Sequence, residues 1–151
     1  MQQIEALKPS LRQSKKIAIL PHRRPDADAL GSCLALFGYL DQYQHEVKVI
    51  SPDEYPDFLK WMEGNEKVMI YDNELKKSKA VKVLIDHHLG KEDFADFELY
   101  EPKASATAEL IYDFLERMGD INKMTIPMAE CIYAGIMTDT GSFKYSSTSS
   151  K

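Results

Sequence analysis

The sequence predicts an α/β domain, a parallel β-sheet with helices on both faces. Three observations carry this. Short apolar runs of strand length alternate with longer stretches whose apolar residues recur at helical spacing. The chain of 151 residues is 44% hydrophobic, the size of one domain with a full core. Two of the apolar runs end in clusters of His and Asp, as at the carboxyl edge of an open parallel sheet. Residues 1–151 read as one domain, with no internal repeat and no Ser/Gly linker.

In order, MQQIEALKPSLRQSKK reads as an amphipathic helix with Ile4 and Leu7 on one side. KKIAIL, before Pro21, is a buried strand. PHRRPDADALGS is a loop, and behind it Leu30, Leu34 and Phe37 mark a helix to about Tyr43. EVKVI is a second strand, ended by Ser51 and Pro52. Asp57 to Met62 reads as a short helix stopped at Gly64, with Phe58 and Trp61 as core or edge packing. KVMIYD is a third apolar run, NELKKSK a charged connector, and VKVLI a fourth strand ending before Asp86. A brief strand follows at Leu99–Tyr100. Ala104 to Met118 is a helix with Ile111, Leu115 and Met118 as its buried stripe and Gly119 as its stop. Thr125 caps a last helix with Pro127 in its first turn, running toward Met137. His45, before the second strand, reads as solvated, and Cys33 and Cys131 as buried small hydrophobes.

Composition excludes several classes. With 19 basic and 24 acidic residues the net charge is −5, which argues against gripping long duplex nucleic acid. A small phosphate ester needs only a local cation cluster. No apolar run approaches the ~18 residues of a membrane span, and the N-terminus lacks a secretory signal, so no membrane partner is expected. Two cysteines make no disulfide framework and predict a reducing, cytoplasmic setting. No G-x-G-x-x-G follows the first strand and there is no P-loop, which weighs against a Rossmann-type nucleotide scaffold.

Three clusters carry chemistry. His22, Asp26 and Asp28 follow the first strand. Such a loop can turn His22 and Asp26 onto one cation while Asp28, at the helix start, faces a neighbour. The same aspartates would also serve as helix caps, with His22 a loop residue. Asp86, His87 and His88 end the fourth strand, where three polar residues also suit an ordinary turn. Asp139, in GIMTDTGSF, closes the last helix with Gly141 in the left-handed position. A carboxylate at that negative dipole end needs a cation, which a metal, Arg or Lys would supply. Carboxylates mixed with imidazoles suit Mn²⁺ or Mg²⁺ better than structural zinc. Together the clusters describe a two-metal phosphoryl site, with ions ~3.5–4 Å apart activating a water for in-line displacement.

HRRPDADALGS, DHH and GIMTDTGSF resemble the motifs of the DHH phosphoesterase superfamily. ELYEPKASATAELIYDFLE and IPMAECIYAGIMTDTGSFKYSSTSS are most similar to its oligoribonuclease/pAp phosphatase branch, the nano-RNases, which share motifs with RecJ exonucleases. The resemblance implies that residues 1–151 are a DHH catalytic domain hydrolysing short single-stranded oligonucleotides or small nucleotides such as pAp. It implies two Mn²⁺ ions, with Mg²⁺ as a substitute. His22 and Asp26 would ligate the first and Asp28, His87 and Asp139 the second. His88 would face the scissile phosphate, Asp86 would hold an imidazole in its ligating tautomer, and Arg23 and Arg24 would contact phosphate. The sequence leaves the oligomeric state open, with a homodimer as one option.

The chain departs from the pattern twice. The family carries another strand before DHH, ending in an aspartate that bridges both ions. Here only NELKKSKA separates VMIYD from VKVLIDHH, leaving Asp72 as the nearby strand-end carboxylate. The family also continues into a smaller substrate-binding domain, whereas this sequence stops at Lys151. The first departure raises an alternative, a domain of the same fold that binds nucleotide without hydrolysing it.

Overall fold

A computed structural model describes residues 8–9, 11–13, 15–71, 79–88 and 95–148. Five strands form one sheet: β1 Lys16–Leu20, β2 Glu46–Ser51, β3 Val68–Ile70, β4 Val81–Asp86 and β5 Phe97–Tyr100. Their order is β3-β2-β1-β4-β5 and every neighbouring pair is parallel. The domain is therefore α/β, as the alternating pattern predicts. Ile17, Ala18 and Ile19 of the central strand are all buried, as expected where both pleat directions are covered.

The chain runs from β1 outward to β2 and β3, then returns to the other side of β1 for β4 and β5. The strand order reverses between β1 and β4. Loops leaving the carboxyl ends of strands at such a point diverge and open a crevice.

Three helices complete the core: α1 Ala27–Leu40, α2 Thr107–Met118 and α3 Ile126–Asp139. Helix α1 lies on β1, β2 and β4 and packs against both other helices. Ile19, Val49 and Ile85 from one sheet face meet Leu34, Phe114 and Met128 from the helices. Among the described residues the helices form a single layer. The opposite pleat, with Ala18, Ile50 and Leu84, is also buried, but no helix covering it is among the described residues. Of the helix predicted over residues 1–16, residues 1–7 lie outside them, Lys8 and Pro9 are helical, 11–13 form a turn, and Lys16 already belongs to β1.

Close approach of α1 and α3 depends on Gly31, where a Cβ would lie 2.6 Å from the Cys131 carbonyl oxygen. Helix ends follow their signals. Asp26 Oδ1 accepts from the Ala29 N–H at 2.9 Å, Thr125 Oγ1 accepts from the Met128 N–H, and Gly119 ends α2 at φ 78°. Helix α1 stops at Leu40, short of the predicted Tyr43, whose hydroxyl instead donates to Asp120.

Two expectations are corrected. Only Asp57–Leu59 of the predicted short helix is helical, as one 3₁₀ turn. Leu59 and Met62, three residues apart, point inward, so Phe58 and Trp61 are 74% and 59% exposed rather than packed. His45 is half-buried rather than solvated. Its Nδ1 accepts from the Lys15 N–H, and burial lowers its pKa. Cys33 and Cys131 are free and buried, and burial pushes the Cys131 thiol up to about 11. No described helix is long and apolar enough to cross a membrane.

At the base of the helical layer, Asp120 accepts from the buried Tyr39 hydroxyl at 2.6 Å, from Tyr43 at 2.9 Å and from Lys123 at 3.0 Å. The Tyr39 bond leads in holding this carboxyl below its ordinary 3.8. A lowered carboxylate pKa contributes stability that is complete above the unfolded value and is lost as pH falls through the folded one. Asp120→Ala is expected to cost about 1–3 kcal/mol at neutral pH by orphaning Tyr39. The difference should shrink on acidification, read by urea denaturation at neutral and acid pH.

Candidate metal centre

The site sits where the strand order reverses. β1 pairs with β4 up to Leu20 opposite Leu84, so their loops leave side by side. Pro21, with no N–H, ends the β1 ladder and releases His22. His22 Nδ1 lies 2.7 Å from the Arg23 carbonyl oxygen. A carbonyl only accepts, so Nδ1 carries the proton and Nε2 keeps its lone pair. That Nε2 is buried without a hydrogen-bond partner, 3.9 Å from Asp26 Oδ1.

Strand β4 ends in Asp86, and His87 repeats the same logic. Its Nδ1 faces the Ala104 carbonyl at 3.2 Å, which leaves the lone pair on Nε2. That nitrogen is also buried and makes no hydrogen bond, at 3.2 Å from Asp139 Oδ2 and 3.8 Å from Asp28 Oδ2. A buried nitrogen with no hydrogen-bond partner, set against two carboxylates, is the arrangement a cation among them would complete.

Asp28 is 2% exposed. Its oxygens accept from the Thr107 N–H at 2.7 Å and the Ala108 N–H at 2.9 Å. Ala106, the N-cap of α2, has no side-chain hydrogen bond to offer. Asp28 therefore caps α2 from the start of α1. This explains why α2 begins at Thr107 rather than at the predicted Ala104. Burial raises the Asp28 pKa, against the lowering effect of these two amides. Gly135 makes room for the arrangement, since a Cβ there would lie 2.8 Å from both Asp28 Oδ1 and Ala108 Cβ.

Asp139 ends α3. Burial first, then the Asp28 charge, raises its pKa, while His87 lowers it. Beyond it Gly141, Ser142 and Phe143 are all left-handed, at φ 57°, 60° and 65°. At Gly141 a Cβ would meet the Tyr145 ring, so glycine lets that ring lie against the turn.

Asp86 is 13% exposed and His88 is exposed. The His88 backbone N–H and Nδ1 both meet Asp86 Oδ1, at 3.0 and 2.9 Å. The His88 ring stands edge-on to His22 and to His87, with centroids 4.6 Å apart in each pair. Burial lowers the His88 pKa, but the Asp86 hydrogen bond and the charges of Asp86, Asp26 and Asp139 outweigh it and leave it raised.

Two groups could thus each hold a metal ion: Asp28 with His87 and Asp139, and His22 with Asp86 and His88. Within each group the donor atoms lie within 4.8 Å of one another. The first is the set expected for one ion. In the second, Asp86 and His88 stand where Asp26 was expected, and Asp26 belongs to neither group. Two orphaned imidazole nitrogens and a mixed oxygen and nitrogen donor set fit divalent Mn²⁺ or Mg²⁺. Of the two arginines, Arg23 is exposed beside the site. Arg24 lines an adjoining cavity of about 410 Å³ with Pro25, Asp26, Pro56, Phe58 and Thr138. Phe58 gave no sequence signal for this place, because its packing role looked ordinary. Asp72 lies outside the described residues.

Residues 16–136 match the model of the DHH family, N-terminal domain. The chain belongs to the DHH family. A bifunctional oligoribonuclease and PAP phosphatase NrnA of Bacillus subtilis (strain 168) is 30% identical, covering 86% of this chain and 48% of its own length. Cyclic-di-AMP phosphodiesterase PdeA of Listeria monocytogenes is 27% identical, over 92% of this DHH chain and 27% of its own length. Among solved structures, an exopolyphosphatase-related protein from Bacteroides fragilis superposes with a TM-score of 0.87 at 34% identity, covering 99% of this chain and 53% of the other. The DHH chain spans about half the length of NrnA and about a quarter of PdeA. The PdeA alignment runs over 176 residues, longer than the 151-residue chain, so PdeA carries residues inside the match with no counterpart here.

Proposed function

We propose that this DHH domain serves a metal-dependent phosphoesterase of the cytoplasm. Its substrate would be short single-stranded nucleic acid or a small nucleotide such as pAp. The observation that supports this most is the pair of carboxylate and imidazole groups at the reversal between β1 and β4, with a buried Nε2 that has no hydrogen-bond partner in each. Mn²⁺ suits both groups, with Mg²⁺ as its substitute. Such ions, when bound, would acidify a water and neutralise phosphate charge. In this reading Asp28, His87 and Asp139 hold one ion and His22 belongs to the other. Asp28 is fixed by the α2 amides, so its oxygens cannot swing away. Arg23 faces the phosphate, and His88 is oriented by Asp86. The cavity beside Asp26 offers Phe58 for a base and Arg24 for its phosphate. The relatives' names, an oligoribonuclease and PAP phosphatase and a cyclic-di-AMP phosphodiesterase, share the phosphate ester of a nucleotide.

The test is incubation with Mn²⁺ and pAp, a diribonucleotide, cyclic di-AMP or duplex DNA. Release of phosphate or mononucleotide from the small substrates, abolished by chelation, is expected. No product from any of them would sink the hydrolase. A second reading, nucleotide binding without turnover, is favoured by the direct pairing of β1 with β4, because no strand bearing a bridging carboxylate lies between them among the described residues. Metal-dependent nucleotide binding with no product would establish it.

A further inference from the structure

We propose that Asp86 is itself a metal ligand, completing an ion site with His22 and His88 rather than only orienting an imidazole. The inference rests on the metal-dependent reading above and names the carboxylate of its less obvious site.

Strand register makes the first argument. β1 and β4 pair Ile17 with Val81 through Leu20 with Leu84. The β1 ladder ends at Leu20, with His22 in the loop just beyond it, and Asp86 closes β4 two residues past Leu84, so the two residues leave neighbouring strand ends. The donor atoms of His22, Asp86 and His88 accordingly close to within 4.8 Å.

Burial and grouping make the second. Asp26 is exposed and belongs to neither donor group, its Oδ1 accepting from the Ala29 N–H at 3.9 Å from His22 Nε2. Asp86 is more buried, and both bonds from His88 fall on its Oδ1, which leaves Oδ2 for a cation. With Nδ1–H given to Asp86, the His88 lone pair sits on Nε2. The buried Nε2 of His22 has no hydrogen-bond partner. Two imidazole nitrogens and one carboxylate oxygen make a three-ligand floor with open positions for water and phosphate.

Direct ligation differs from support in a spectroscopic way. A thiolate bound to Co²⁺ gives a near-ultraviolet sulfur-to-metal charge-transfer absorption, and an unbound one does not. Asp86→Cys and Asp26→Cys would each be titrated with Co²⁺ in the full chain, with circular dichroism to check folding. The unsubstituted chain serves as blank, since Cys33 and Cys131 are buried. The charge-transfer band is expected in Asp86→Cys, whether or not Asp26→Cys also shows one. Its absence from Asp86→Cys overturns the proposal, provided the unsubstituted chain shows the visible absorption of bound Co²⁺. No Co²⁺ binding by the unsubstituted chain would instead sink the metal-dependent reading together with this one. If Asp86→Cys does not fold, Asp86→Asn keeps the acceptor for His88. Equilibrium dialysis should then count one Mn²⁺ fewer than in the unsubstituted chain, and an equal count overturns the assignment.

Discussion

Asp28→Ala is expected to lower stability by about 2–4 kcal/mol, since it removes a buried cap and leaves two α2 amides without partners. The same change should abolish stabilisation by Mn²⁺. The two losses are separable. Asp28→Asn keeps an acceptor for one of the two α2 amides, turns its NH2 toward the other and gives up the charge. The asparagine variant should therefore lose less stability than the alanine variant without metal and still gain nothing from Mn²⁺. Urea melts of all three proteins, with and without Mn²⁺, read both quantities. An alanine variant as stable as the parent would show that α2 does not depend on this cap. An asparagine variant with a full Mn²⁺ response would remove Asp28 from the ion's ligands.

The second large effect concerns His87. A ligand at about 100 times its Kd stabilises by about 2.7 kcal/mol, which for a chain of this size is a melting shift of roughly 5–10 °C. His87→Ala should erase most of that shift and lower the metal-free melting point by a smaller amount. The metal-free fold loses a largely buried ring, one bond to the Ala104 carbonyl and the partner set against Asp28 and Asp139. Differential scanning calorimetry with a Mn²⁺ titration checks both halves. A retained shift would mean that Asp28 and Asp139 suffice or that the ion binds elsewhere.

What the sequence shows about the fold follows from how local each signal is. Strands β1 and β4 are continuous apolar runs closed by Pro21 and Asp86, and α3 carries its cap at Thr125 and its end at Asp139. These boundaries depend on neighbours in the chain and are readable from it. The start of α2 is not, because its cap is an aspartate 79 residues away. Phe58 and Trp61 were misplaced because large aromatics usually fill cores, while a single 3₁₀ turn lets Leu59 and Met62 take the inside. The three polar clusters of the site are visible as residue types at strand and helix ends. Their partition into groups is not, since it depends on which strand lies next to β1, a pairing between segments 64 residues apart. The same distance hides Gly135, whose need to be small is set by Asp28 and Ala108 on two other helices.

The direct pairing of β1 with β4 also bears on ion size. Asp86 ends a strand held about 4.8 Å from β1 by backbone hydrogen bonds, and His22 lies in the loop just past the end of β1. The donors gathered there are two imidazoles and one carboxylate. Calcium, which prefers more oxygens at longer distances than Mn²⁺ or Mg²⁺, should therefore compete poorly for this chain.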